Sequence, residues 1–374
     1  MKRIFSRFAC IVSLLVMVVL LGCSTKAVRG PMDSYDQTAF RSAAIHTLEE
    51  AAFGESPSQR MQALEAFKEV APCEGISLKA VPLNIENAYP GASFAALMAA
   101  GESGATHLEE LARTRAEHPD ANVRLAALFA LHQFGDKSRT SEIAGHLLNH
   151  RDARVRANAA YVIGKMGGKQ QIKLLKIALR KEQKDLPKLQ ILEALSTLGD
   201  KYASERLIFE GYSEIPQQSA VALMMLANAR CEAAESLFWL KMHSGKWPEV
   251  RLQAARGLAR LGYPQGLKLG MQMLSFNAPQ EGIKDDPPEQ QIRRVRGLAA
   301  LALESIADPE ALGPLKRAFD NPKESEYVKI AVARAVIKTI DRCRPQPDEG
   351  AAMAQRADKP HQVAAQPSGD GAAE

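Results

Sequence analysis

The chain has 374 residues, 46% of them hydrophobic and 24% charged, enough for two ordinary domains or one long solenoid. Forty-eight Lys and Arg stand against 43 Asp and Glu, and three of the bases fall in the first seven residues, so the remainder is close to neutral. That balance offers no electrostatic footprint for nucleic acid, and five widely scattered cysteines exclude a disulfide-stapled framework.

Lys2, Arg3 and Arg7 give a positive start, and the apolar run from Ala9 to Leu21 is too short for a comfortable bilayer span. Small Gly22 beside Cys23 fits a peptidase, so residues 1–22 read as the signal peptide of an exported chain. Leu20-Leu21-Gly22-Cys23 resembles the lipobox of bacterial lipoproteins, with Leu21 where a small or β-branched residue is preferred. The resemblance implies cleavage before Cys23, a diacylglyceryl thioether on its sulfur and usually an acylated amino group, palmitate being typical, so that membrane lipid becomes a partner. Ser24 in place of Asp implies the outer membrane, periplasmic side. Several acyl chains hold firmly, since each buried methylene contributes about 0.8 kcal/mol. Residues 23–39, polar and carrying Gly30 and Pro31, follow as a flexible linker. Cys10 leaves with the signal, and only Cys73, Cys231 and Cys343 remain.

From about residue 40 the chain repeats. Pro57 to Phe67 and Gly91 to Ala100 read as degenerate first copies. Asp120-Ala-Asn-Val-Arg124 through Gly135 then aligns with Asp152-Ala-Arg-Val-Arg156 through Gly167 and with Leu186 to Gly199, the closing glycines falling 32 residues apart twice. A weak copy at Pro216 to Ala229 precedes a clear one from Pro248 to Gly262, and Gln291 to Ile306 and Glu326 to Ile340 complete the series. Asp152 is placed to cap a helix whose apolar Val155, Ala159, Val162, Ile163 and Met166 advance by three or four, and Gly167 stops it. The next helix, Gln170 to Leu179, returns with its own apolar stripe. Each unit is therefore an antiparallel pair that buries its apolar face only by stacking on neighbours.

The pattern Asp-x-x-Val-Arg-x-x-Ala-Ala-x-x-Leu-Gly, in reduced form around Arg251 and Lys329, resembles the HEAT-like repeat family, in particular the short type found in phycobilin lyases and bacterial scaffold proteins. The resemblance covers residues 40–342 and implies an all-α, right-handed superhelical solenoid of about nine helix pairs. For function it implies a binding surface, an assembly scaffold or, more rarely, a lyase. Nine pairs spaced about 8 to 10 Å apart would make a curved rod of roughly 80 to 90 Å, whose open concave face suits an extended partner.

Candidate site residues are few. Arg124, Arg156 and Arg251 recur in the first turn of the repeated helix. They serve either a structural ladder between copies, Asp120 and Asp152 lying four residues before the first two, or a protein-binding basic lining that recognises an acidic ligand. Glu142, His146 and His150 share one helical face, but three ligands along a straight helix fit zinc's tetrahedron poorly, so no metal or cofactor is expected. No nucleophile elbow, zincin motif or Walker loop is present, and the chain is read as not an enzyme. Two irregular stretches draw more interest. Trp247, before Pro248, stands in a turn, as an exposed anchor or as packing over the joint between repeats. Residues 275–290, polar and rich in proline, form an insertion at a repeat edge, where solenoids carry binding loops. Residues 343–374, without periodicity, read as a disordered tail. Together these features predict a membrane-tethered scaffold or adaptor that binds a protein of the cell envelope. A lyase-like enzyme or a small-molecule carrier is the alternative.

Overall fold

A computed structural model of the chain describes residue 32 and residues 34–70, 76–280 and 285–343. The signal peptide, Cys23, Cys73 and the tail from residue 344 lie outside the described residues. Those described form 18 α-helices. In chain order they are α1 Ser34–Phe53, α2 Pro57–Val70, α3 Ile76–Ile85, α4 Pro90–Ser103, α5 Glu109–Arg115 and α6 Ala121–Phe134. Then come α7 Thr140–Asn149, α8 Ala153–Met166, α9 Lys169–Lys181, α10 Asp185–Thr197, α11 Lys201–Gly211 and α12 Pro216–Asn228. The last six are α13 Glu235–Ser244, α14 Pro248–Arg260, α15 Leu267–Met273, α16 Pro288–Ile306, α17 Leu312–Phe319 and α18 Glu326–Cys343. No described helix is long and apolar enough to cross a membrane.

Local chemistry sets the units. Asp120 accepts the backbone N–H groups of Asn122 and Val123, and Asp152 that of Arg154, which satisfies donors left free in the first turn. Each even-numbered helix from α4 to α16 is followed by a residue of positive φ: Gly104, Gly135, Gly167, Gly199, Arg230, Gly262 and Ala307. Arg230 and Ala307 occupy the stop without being glycine, and the first of these follows the copy that looked weak in sequence, Pro216 to Ala229.

Odd and even helices alternate between two layers. The even helices pack side by side, α2 on α4 and so on to α16 on α18, while the odd helices back them from outside. Small residues permit the close approach: the Phe129 ring lies where a side chain at Gly101 would stand, and Ala194 sits against Gly164. Alanines and leucines of both layers merge into one core that runs from Phe40 to Ile340.

The all-α solenoid of stacked antiparallel pairs is present, but it is not a rod. α18 packs against both α1 and α2, so the nine even helices close into a ring with the odd helices outside. Arg41 of α1 makes two hydrogen bonds to Asp341 of α18, at 2.6 and 2.9 Å, and the Phe40 and Phe319 rings meet edge to face at 5.4 Å. Lys338 donates to the carbonyl of Glu69 at 2.8 Å. The open concave face expected from stacking alone is therefore replaced by an enclosed inner surface. Repeat spacing fixes the distance between neighbours; closure depends on the rotation accumulated over all nine pairs.

Candidate functional site

The inner surface has two ends of different chemistry. At the C-terminal ends of the even helices it is filled with charge. Lys68 reaches Tyr161, across the ring on α8, at 3.5 Å, and Lys68 and Lys165 both approach Glu102. Arg256 and Arg260 donate to Asn228, whose amide donates to Glu193. Burial pushes the Glu69 carboxyl up, yet Arg334, Arg260, Lys338 and Lys165 outweigh it and hold it below the ordinary carboxylate range. Burial, helped by Arg260 and Arg334, draws the Arg256 guanidinium down to about 10. Helix C-termini favour such cations.

At the N-terminal ends the surface opens into a cleft of about 670 Å³ between α12, α14 and α16. Ala220, Val221 and Met224 of α12 face Val295 and Leu298 of α16, and Trp247 and Phe276 stand at the sides. Pro248 at the first position of α14 holds Trp247 extended at the helix N-cap, and Lys246 lies 5.9 Å from the centre of its ring. The insertion before α16 folds over this end. Buried Gln291 accepts from Gln280 N–H at 2.9 Å and donates to the carbonyls of Gln280 and Asp286, so its amide acts as an extra peptide group. Arg294 bridges Glu249 on α14 and Asp286 on the insertion through four hydrogen bonds of 2.7 to 3.0 Å. Those bonds, from Asp286 foremost, raise the Arg294 pKa, and Arg294 in turn lowers that of Asp286. Residues 281–284 lie outside the described residues.

One turn apart on the inward face of α14 stand two buried polar atoms without hydrogen-bond partners, Gln253 Oε1, in the cleft wall, and Arg256 Nε. A partnerless buried acceptor is costly to the fold.

The residues singled out in sequence are distributed unevenly. Trp247 and the insertion, marked separately, meet in the cleft. Arg124 donates to the carbonyls of His118 and Pro119, Arg251 to that of Met242, and Arg156 to the carbonyls of His150 and Arg151 and to both oxygens of Glu182. All three guanidinium groups thus close the end of the preceding helix, and none lines the cleft. Arg296 belongs to the same series, donating to Phe276 O and to Glu324, and was not singled out in sequence. Glu142 turns to Arg139 and His150 Nδ1 accepts the N–H of Asp152, so the three do not converge; no group of three such residues among the described ones is placed to hold a metal. Gln253, Gln291 and Arg294 were missed. No local pattern marks them: Gln253 stands on α14 and Gln291 and Arg294 on α16, and packing alone brings them together.

Two family models match stretches of the chain and agree with this architecture. Residues 93–196 match the family model of HEAT repeats, and residues 295–321 match that of the PBS lyase HEAT-like repeat. Among solved structures, a chain from the complex of CpcE and CpcF of phycocyanin lyase from Nostoc sp. PCC7120 is 17% identical, covering 74% of this chain and 97% of its own, at a TM-score of 0.37. An engineered protein is 16% identical, covering 84% and 98%, at 0.25. No curated protein matches in sequence. The expectation that the chain is not an enzyme is overturned by the match at 295–321, whose repeat points to a lyase-type enzyme family. Motif inspection finds only sites that are contiguous in sequence, whereas a solenoid assembles a site from successive repeats, as this cleft does from three. Over residues 93–196 and 295–321 the chain thus carries HEAT-like repeats.

Proposed function

We propose that this protein is a lipid-anchored scaffold of the bacterial cell envelope that holds a partner protein in the cleft between α12, α14 and α16. The observation that carries the reading is convergence: half-buried Trp247 and the described parts of the insertion, Phe276 to Gln280 and Asp285 to Asp286, line one largely apolar cleft. Of the four side chains marked in sequence, Trp247 makes the contact in this reading, and Arg124, Arg156 and Arg251 hold the repeats that frame it. Acylated Cys23 tethers the ring to the periplasmic side of the outer membrane, and the polar segment to α1 gives it reach.

Affinity capture of the native protein from gently solubilised envelopes, beside Cys23→Ala and Trp247→Ala forms, tests both parts. The native form should enrich one stoichiometric partner, Trp247→Ala should lose it at least tenfold with its helical circular dichroism intact, and Cys23→Ala should lose it through misplacement. Undiminished recovery by Trp247→Ala would sink the cleft as the contact site. A second reading, lyase-like chemistry on a molecule held in the same cleft, is favoured by the repeat match at 295–321, since Val295 and Leu298 of that stretch line the wall.

A further inference from the structure

The outer wall of the ring is not uniform. Of the eleven large hydrophobic side chains exposed among the described residues, seven fall in the stretch from Ile177 on α9 to Leu240 on α13. Tyr202, Arg206 and Phe209 are spaced by four and three, so they share one exposed face of α11, with Phe209 67% exposed and the Arg206 guanidinium 5.5 Å from the centre of its ring. Lys241 of α13 donates to the Tyr212 carbonyl at 3.3 Å, which joins Leu240 and Tyr212, both exposed, to the same wall. On the other side, Lys176 of α9 pairs with Asp200, the N-cap of α11, at 2.5 Å and brings exposed Ile177 toward Tyr202. The charge around these residues is one-sided. Helix α9 carries Lys169, Lys173, Lys176, Arg180 and Lys181, all exposed, and no acid. With α11 included, seven bases stand against two acids, Glu205 and Glu210, and Glu210 is engaged by Arg206 and Gln218.

Contiguous exposed apolar surface of this kind is rare on a protein that meets only water. The wall is convex, since the odd helices lie outside the ring, and none of its exposed apolar residues lines the cleft. An extended chain finds no groove there. Aromatic rings beside a run of bases match a bilayer interface instead, where rings seat among the headgroups and bases meet lipid phosphates. We infer that the wall formed by α9, α11 and α13 rests on the surface of a bilayer containing anionic lipid, with Tyr202, Phe209 and Leu240 entering the interface and the bases of α9 over the headgroups. This rests on the lipid-anchored half of the proposed function and not on the cleft. An acyl tether holds the protein near a bilayer without orienting it. The wall supplies the orientation, and because the cleft opens at one end of the ring, its mouth stays free for the partner.

The test uses full-length protein with acylated Cys23, reconstituted into vesicles of phosphatidylcholine and phosphatidylglycerol or of phosphatidylcholine alone, with bromine on the lipid acyl chains as quencher. Phe209→Trp carries the reporter, Tyr89→Trp, at an exposed position before α4, is the control, and the emission of Trp239 and Trp247 in the parent is subtracted. Brominated lipid should quench Phe209→Trp at least threefold more than Tyr89→Trp when phosphatidylglycerol is present. Lys173→Glu together with Lys181→Glu, or high salt, should remove at least half of that difference with helical circular dichroism intact. Should Phe209→Trp fail to fold, Tyr202→Trp, on the same face, makes the same measurement. Equal quenching at the two positions, quenching at neither while the protein floats with the vesicles, or the same quenching without phosphatidylglycerol would each overturn the inference and leave the anchor standing. Loss of a captured envelope protein, with quenching unchanged, in the doubly substituted form would make the wall a protein contact and overturn it as well. If the native protein does not float with vesicles, the anchor reading itself falls and the inference falls with it.

Discussion

Arg230 and Ala307 hold the positive-φ stop that glycine fills in five sister repeats, at φ 50° and 51°. A side chain there clashes with its own backbone, at a cost of roughly 1–2 kcal/mol, part of which glycine would return as unfolded-state entropy. Arg230→Gly and Ala307→Gly should each therefore stabilise the protein by about 1 kcal/mol in urea denaturation, and Gly199→Ala should do the reverse. A loss of stability in the first two would mean that Arg230 or Ala307 makes contacts worth more than its strain. The same positions show where sequence reading loses resolution. A stop is legible when glycine marks it, and Pro216 to Ala229 looked weak in part because Arg230 takes the same conformation without the marker. Gln253 is a harder case. One glutamine in an alanine-rich helix carries no local signal, and its burial is decided by α12 and α16 on either side.

Between elements, the recurrent arginine acts as a staple. Arg156 Nε and Nη2 hold the two Glu182 oxygens at 2.7 and 2.9 Å, and one of those oxygens also receives the N–H groups of Gln183 and Lys184. The guanidinium above all, against opposition from burial, draws the Glu182 pKa from 4.5 to about 2. A depressed folded-state pKa means that the stabilisation is fully present above 4.5, where the unfolded chain is also ionised, and is lost as pH falls toward about 2. Glu182→Gln should be less stable than the parent by about 2 kcal/mol at neutral pH, and the difference should shrink as pH drops through that window. Denaturation midpoints at several pH values would show it, and parallel curves would mean that ionisation of Glu182 contributes nothing. At this scale the sequence was most legible: Asp caps, the apolar stripes and the 32-residue step gave the pairs from α6 to α10, and an arginine in the first turn was visible as a repeat feature. Its partner was not, because Glu182 lies 26 residues on and belongs to the next helix's end.

Across the whole molecule, closure changes how the fold is held. An open solenoid is stabilised by nearest-neighbour interfaces, and its terminal repeats, with one neighbour each, fray first. Here the first and last pairs contact each other, through residues as far apart in sequence as Arg41 and Asp341, so none of the nine pairs is terminal. That contact was invisible to repeat analysis, which compares each copy with the next and has no term joining the first to the last. The charged filling of the inner surface follows from the same geometry, since Lys68 and Tyr161 meet only when the ring brings α2 and α8 together. Amide hydrogen exchange separates the two architectures. In the parent, α2 and α18 should exchange as slowly as α8 and α10. Arg41→Ala removes a largely buried, two-bonded ion pair at the seam. It should accelerate exchange at least tenfold in α1, α2 and α18 while leaving α8 and α10 nearly unchanged. Fast exchange of α2 and α18 already in the parent, or uniform acceleration of every helix in Arg41→Ala, would count against a seam that ties otherwise independent ends.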